Sequence, residues 1–438
     1  MVAKRGDRAA DIISRDRKVM INTTRESYNF VPDHGKGDYV WDVNGKRLID
    51  FSSFISVYNL GVNSTDEVRG AIKSQMDKLM HSAFTDFYAE RPVEFAELLI
   101  SLMPKGFGRV FFSNSGTEAN EAAIKFAKLF TRRSYTFAFY GAFHGRTKGS
   151  LALTASRSVQ RAFNGPFPDV IHVPFPYCYR CPLKQTYPDC GFACIDYIRE
   201  YPFKKEVNPK EVSAFIAEPI QGEGGYIVPP QGYFKELRKL LDEHGILLIA
   251  DEVQSGYMRT GRFLAMDNFG VEADIYTMAK SIGAGLPLGV TVSRKSLGNI
   301  ESGAHANTFG GNLAVIAGAY AQLSYVKRNL SKMRSGIIRK GRYAMERMEE
   351  LKERYEIVGD VRGIGLMLAI ELVNNKSDKV PIPDVRERIL EHAFERGLLL
   401  LPAGESTIRV IPPLNISDDA LEKGFDILEE SIGRYSGR

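Results

Sequence analysis

The chain has 438 residues, more than one compact core ordinarily holds, so a large domain and a smaller one are expected. With 44% hydrophobic and 25% charged residues and no apolar run near bilayer-spanning length, the composition excludes a disordered chain and a membrane-inserted one. The net charge of +5, from 58 basic against 53 acidic residues spread along the chain, gives no basis for a nucleic-acid partner.

The basic N-terminal stretch has no apolar h-region, and Asp7, Asp11 and Asp16 sit among its arginines, so an intact cytoplasmic N-terminus is expected. Residues 38–51 alternate around Asn44-Gly45, a strong hairpin signal. Helical periodicity follows over 65–79 and 92–102. From about residue 110, short apolar runs (RVFFS, YTFAFY, VSAFIAE, GILLIAD, ADIYTMA) alternate with helical segments, the pattern of a buried, mainly parallel sheet wrapped by helices. Beyond Gly311 a helical stretch runs to about 355, and RGIGLMLAIELV, GLLLLP and STIRVIPPL then read as strands around a helix at 385–397. A closing helix is expected at about 418–433. No internal repeat or low-complexity linker interrupts the chain. The expected division is an N-terminal segment at 1–65 that joins the small domain, a large domain at 66–330 and a C-terminal α+β domain at 331–438.

Five turns carry the chemistry: SNSGTEANEAA at 113–123, AFHGRT at 142–147, EPIQGEGG at 218–225, LLIADEVQSG at 247–256 and MAKSIGAGLPLG at 278–289. Between a strand and a strong helix, the amides of Gly116 and Thr117 are placed to bind phosphate, with the Ser115 or Thr117 hydroxyl adding a bond; the same residues also suit an ordinary helix cap. Asp251 ends an apolar run where open α/β sheets present ligands, and a carboxylate there can pair with a protonated ring nitrogen. Lys280 follows a strand-like run and precedes a glycine-rich turn; burial beside cations would free its amine for nucleophilic and proton-transfer work. Together the segments suit a phosphorylated aromatic aldehyde cofactor.

With HANTFGGN at 305–312, the order and spacing of these segments resemble the class III aminotransferases, fold-type I pyridoxal-phosphate enzymes that include 4-aminobutyrate and ornithine aminotransferases. The resemblance runs from the hairpin to STIRVIPPL. It implies an α/β fold with a mainly parallel seven-stranded sheet flanked by helices, plus a smaller α+β domain, and pyridoxal 5'-phosphate as cofactor. Residue by residue it implies Ser115, Gly116 and Thr117 at the phosphate, Phe143 and Val253 on the ring faces, and His144 and Glu218 beside the cofactor. Asp251 would stand at the ring nitrogen, Gln254 at the ring hydroxyl and Lys280 at the Schiff base, with Lys280 and Asp251 catalytic. Thr308 matches a residue that reaches the neighbouring subunit's phosphate, which implies an obligate homodimer, or a pair of dimers, with shared active sites.

For substrates the resemblance points to Ile55, Arg146, Glu223 and Arg409. Arg409 matches the arginine that holds the α-carboxylate of glutamate or 2-oxoglutarate, and Arg146 the position that holds a distal carboxylate. Glu223 would neutralise Arg409 when an ω-amino acid is bound and give way to an α-carboxylate. The expected activity is transfer of the amino group of 4-aminobutyrate or a related ω-amino acid to 2-oxoglutarate, through an amino donor and a 2-oxo acid acceptor. An amino-acid racemase or epimerase of the same family is the alternative, against which Glu223 stands where such epimerases tend to carry Asp; a non-catalytic binding protein is the remote one, against which the complete site stands.

One segment departs from the family pattern. Cys178, Cys181, Cys190 and Cys194 have spacings that allow tetrahedral zinc, one or two disulfides, or free thiols. No metal is assigned to the catalysis.

Overall fold

A computed structural model of the protein describes residues 7–23, 28–62 and 65–437. Part of the basic N-terminal stretch, residues 1–6, lies outside them. From Arg8 to Val19 that stretch forms a helix that the sequence reading did not expect, started by Asp7, whose carboxylate accepts from Ala10 N at 3.0 Å. Among the described residues no helix is long and apolar enough to cross a membrane.

Strands β1 (Pro32–Lys36), β2 (Tyr39–Asp42) and β3 (Arg47–Asp50) form an antiparallel set with Val40 opposite Leu48. Asn44-Gly45 makes the β2–β3 turn, where Asp42 Oδ1 accepts from Asn44 N at 2.9 Å and Lys46 N at 2.7 Å.

Seven strands build the large sheet: β4 (Phe107–Ser113), β5 (Tyr135–Phe139), β6 (Val170–Val173), β7 (Val212–Ala217), β8 (Leu247–Asp251), β9 (Ile275–Met278) and β10 (Gly289–Arg294). Their order is β4-β10-β9-β8-β7-β5-β6, and β10 alone runs against the direction shared by the other six. All residues of β7 and β9 are buried, as helices on both faces require. The helix Gly116–Thr131 buries Ala119, Ala122, Ala123 and Ala127, small side chains that let it lie close to the strands. Neither β6 nor β10 was among the expected strands.

The C-terminal part is an antiparallel sheet of β11 (Val358–Ile364), β12 (Met367–Leu372), β14 (Leu401–Ala403) and β15 (Thr407–Val410), in the order β11-β12-β15-β14. RGIGLMLAIELV is therefore two strands, because Gly365 turns the chain at φ +61. GLLLLP also divides: β13 (Leu398–Leu399) pairs parallel with β3, while β14 joins β15, so the N-terminal hairpin is hydrogen-bonded to a C-terminal strand. The long helical stretch breaks into Leu313–Arg328 and Leu330–Arg354 at Asn329, whose side chain donates to Tyr325 O at 2.9 Å.

Two main cores result. One surrounds the large sheet; the other gathers Ile49, Phe51, Met348, Leu368, Ile408 and Phe425. Fully buried Arg259 ties the parts together by donating to Leu366 O at 3.2 Å, Pro412 O at 2.5 Å and Asn59 Oδ1.

Candidate active site

The parallel strands all present their carboxyl ends to one side, and the loops leaving β5, β7, β8 and β9 meet there with the N-terminus of helix Gly116–Thr131. A cavity of about 730 Å³ opens at this edge. It is lined by Ile55, Ser115, Gly116, Thr117, Phe143, His144 and Arg146, and also by Glu218, Glu223, Asp251, Val253, Gln254, Lys280 and Arg409. Every expected site residue is thus in one place except Thr308, which is exposed on the 305–312 loop and does not line its own chain's cavity.

At the helix N-terminus, Ser115 Oγ accepts from Glu118 N at 3.2 Å, which leaves its proton free to donate. Among the described residues the amides of Gly116 and Thr117 have no hydrogen-bond acceptor in the chain. Thr117 Oγ1 is already engaged, accepting from Arg146 N at 3.1 Å and contacting Ser150 Oγ. Gly116 is required by packing, since a Cβ there would stand 2.9 Å from Val253 Cγ1. Gly145, at φ +137, would drive a Cβ to 1.8 Å from Thr117 Oγ1.

Asp251 closes the floor. Its Oδ2 accepts from His144 Nδ1 at 2.8 Å and Asn120 Nδ2 at 2.7 Å, and its Oδ1 from Val253 N at 3.0 Å. Asn120 also donates to His144 O at 2.8 Å and accepts from Thr277 Oγ1 at 2.7 Å, so one amide fixes three elements. Asn120 was not among the expected site residues. It stands inside SGTEAN, one helical turn after Gly116, and that facing position was the available signal. Among the described residues lining the cavity, two buried polar atoms lack a protein partner, Gln254 Oε1 and His144 Nε2.

Lys280 leaves β9 at a positive φ of 52° and is half-buried. Burial, and then the nearby Arg409 charge, lower its amine to about 8, opposed by Asp251, Glu218 and Glu223. Burial, and then repulsion from Asp251, push the Glu218 carboxyl well above its ordinary value.

On the outer wall, Arg409 Nη2 donates to Glu223 Oε2, and Arg409 Nε donates to Pro402 O at 2.9 Å. Burial works against the Arg409 charge, but Tyr226, Glu223 and their hydrogen bonds outweigh it, and the guanidinium titrates above its ordinary value. Arg146 is exposed, lies 5.6 Å over the Phe143 ring and, among the described residues, pairs with no carboxylate. Ile55 sits in a run of four left-handed residues, Ser53 to Ser56, with φ of 43°, 47°, 63° and 62°. Asp50 Oδ1 holds that turn by accepting from Ser52 N at 2.8 Å and Ser53 N at 2.9 Å, while Ser53 Oγ donates to Ile411 O at 2.7 Å. Nothing in the local sequence announces it, since no glycine is present.

The four cysteines lie elsewhere. All are free thiols around one enclosed space of about 20 Å³, and burial pushes Cys194 up to about 12. Among the described residues no group of three or more His, Cys, Asp or Glu side chains is gathered to hold a metal ion. Tyr177 and Arg180 of the same loop bond Glu371 on β12, which anchors the loop to the C-terminal sheet.

Fold and site define a pyridoxal-phosphate enzyme of fold type I. The chain matches the model of the family described as "Aminotransferase class-III" over residues 20–432, and it belongs to that family. It is 37% identical to the leucine/methionine racemase of Thermococcus litoralis, covering 97% of this chain and 96% of the relative. It is 36% identical to the 4-aminobutyrate aminotransferase GabT of Escherichia coli, covering 91% and 92%. The solved amine transaminase of an uncultivated Pseudomonas species, in its pyridoxal-phosphate-bound form, superposes with a TM-score of 0.88 at 30% identity, covering 95% of this chain and 98% of that one.

Proposed function

We propose that this enzyme transfers the amino group of 4-aminobutyrate or a related ω-amino acid to 2-oxoglutarate. The observation that carries the reading is the pairing of buried Arg409 with Glu223 in a cavity whose lining also includes a carboxylate-free Arg146. A guanidinium is costly to bury alone, and Glu223 removes that cost while an ω-amino acid places a CH2 at this point. An α-carboxylate would take the place of Glu223 on Arg409, and Arg146 would receive the distal carboxylate of either substrate.

The chain's own residues fit the cofactor. The Gly116 and Thr117 amides and Ser115 would hold the phosphate, Phe143 and Val253 would cover the ring faces, and Asp251 would pair with the ring nitrogen. The partnerless Gln254 Oε1 suits the ring hydroxyl, and His144 and Asn120 keep Asp251 oriented. When bound, pyridoxal phosphate supplies an electron sink for the charge left as a proton leaves the amine-bearing carbon. Lys280 moves that proton: among the described residues it is the only lysine lining the cavity, and its lowered basicity gives a neutral fraction near neutral pH. The raised titration of Glu218 weakens its repulsion of Asp251.

The working unit in this reading is a homodimer, with Thr308 of each chain reaching the phosphate of its partner's site. Exposed Met76, Leu79, Met80, Phe87, Tyr88 and Phe309 support it, since so much apolar surface beside the 305–312 loop calls for cover.

A second reading, amino-acid racemisation, is favoured by the full-length match to a racemase. One experiment separates them. Purified protein is given L-amino acids and ω-amino acids, each with and without 2-oxoglutarate, and glutamate and enantiomer composition are followed by chiral chromatography. Glutamate formed only with 2-oxoglutarate, at the expense of an ω-amino donor, supports the aminotransferase. Loss of optical purity without any oxo acid overturns it in favour of the racemase.

A further inference from the structure

Behind the outer wall of the cavity, on the far side of Glu223 from Arg409, stands a further arginine, Arg157, that the sequence reading did not single out. Glu223 directs Oε2 to Arg409, while its Oε1 lies 3.8 Å from Arg157 Nε. Arg157 is held in place, donating from Nη2 to Gly404 O at 3.0 Å, and Gly404 N donates to Glu223 O at 2.9 Å. One turn at residue 404 thus fixes both the base of Glu223 and the head of Arg157. Arg157 also lines a separate cleft of about 1000 Å³, together with Ser156, Gln221, Gly224 and Thr407. Its side chain is 31% exposed, against 5% for Arg409 and 16% for Glu223. The glutamate therefore stands between an inner, buried guanidinium and an outer, hydrated one.

We infer that Arg157 is a positioning residue for substrate selection, receiving the Glu223 carboxylate when an incoming α-carboxylate displaces it from Arg409. The inference rests on the proposed reading only in taking one pocket to accept substrates both with and without an α-carboxylate. Charge counting supplies the reason. With Arg409 alone, adding a substrate carboxylate to Glu223 leaves two anions facing one cation in a partly buried wall, and like charges at this range repel. Arg157 makes the count two against two. Because Oε1 already faces Arg157, Glu223 needs only to release Arg409 and close the remaining gap. The movement leads toward the more hydrated cleft, which lowers the desolvation cost of the displaced carboxylate. With an ω-amino acid Glu223 stays on Arg409, and Arg157 has no selective task.

The test uses the holoenzyme with Arg157→Gln and Arg157→Lys, each made in the natural chain and beside Glu223→Gln. Half-reactions are followed by the bound cofactor's absorbance with L-glutamate, L-alanine and 4-aminobutyrate, and thermal unfolding checks that each variant is folded. Arg157→Gln is expected to raise KM for the α-amino acids roughly tenfold, with kcat and the 4-aminobutyrate reaction little changed, as coupled neighbours in one ion-pair network do. Arg157→Lys should recover most of the loss. In the Glu223→Gln background, where no anion needs a receiving partner, the effect of Arg157→Gln should vanish. Equal losses for all three donors, no loss for any, or an undiminished effect beside Glu223→Gln would overturn the inference. An enzyme that accepts the α-amino acids but not 4-aminobutyrate would sink the ω-amino acid reading instead, and the Arg157–Glu223 coupling would still be read on the α-amino acids.

Discussion

The amine of Lys280 and the guanidinium of Arg409 share one cavity, and the positive charge of Arg409, second only to burial, holds that amine down to about 8. A cation that binds substrate therefore also sets the base. With Arg409→Gln that charge is gone and Glu223 loses its nearer cationic partner, and both changes favour the charged amine. The rising limb of the pH–kcat profile, measured with an amine lacking an α-carboxylate, should move to higher pH. An unchanged or acid-shifted limb would show that Lys280 is not the titrating base.

Lys280→Ala should lower turnover by about a thousandfold or more, the scale of losing a positioned acid–base group. The characteristic visible absorbance of enzyme-bound cofactor should disappear with it. Retention of both would remove Lys280 from the chemistry.

Glu218 gives the opposite expectation. Burial and Asp251 raise its titration well above the ordinary value, so Glu218→Gln keeps the shape and the hydrogen-bonding capacity and should change kcat/KM by no more than a few-fold at neutral pH. The folded state binds this proton more tightly than the unfolded chain. Its contribution to stability is therefore full below the unfolded value and is lost as pH rises toward the folded one. Denaturant unfolding of Glu218→Gln at several pH values should show a flatter alkaline decline than the natural chain; a steeper one would mean that the carboxylate is ionised.

Asn120→Ala removes the amide that joins Asp251, His144 O and Thr277, leaving buried partners unmatched. A loss of roughly 1–3 kcal/mol is expected, with weaker cofactor retention because Asp251 loses a positioning donor. Calorimetric unfolding and dialysis against cofactor-free buffer measure the two effects. A destabilised variant that retains cofactor fully would limit Asn120 to packing.

Arg259→Ala should cost about 3–5 kcal/mol, since several buried oxygen atoms lose their donor and nothing nearby replaces it. Arg259 Nη2 also reaches Ser53 Oγ at 3.4 Å, so the left-handed turn that carries Ile55 should loosen as well. Denaturant midpoints and KM for small donors, measured on the same preparations, test this; loss of stability with no change in KM would separate the two roles.

How legible these features were depended on the span of chain that each required. The parallel core was read from five apolar runs, because strands buried on both faces need continuous hydrophobic sequence. Strand β10 was missed because Gly289–Arg294 alternates Val with Thr and Ser, so it lacks the continuous apolar run that marked the others. The helix break at Asn329 and the turn at Gly365 rest on one residue each, too little to stand out against the periodicity around them. At the site, motif residues were legible by type and order. Asn120 acquired its role only through partners up to 157 positions away, and Arg157 through Glu223 and Gly404.

By itself the sequence determined the chemistry on offer: a glycine-opened helix for phosphate, a strand-ending carboxylate, a lysine before a glycine turn and two arginines for carboxylates. Those depend on covalent identity and short spacings, which a chain carries before it folds. Tertiary structure alone decided the raised titration of Glu218, the lowered basicity of Lys280 and the placing of Glu223 between Arg409 and Arg157. Each of these comes from burial and from charges brought within a few ångströms by distant segments, and desolvation and Coulomb energy depend on that environment and not on residue type.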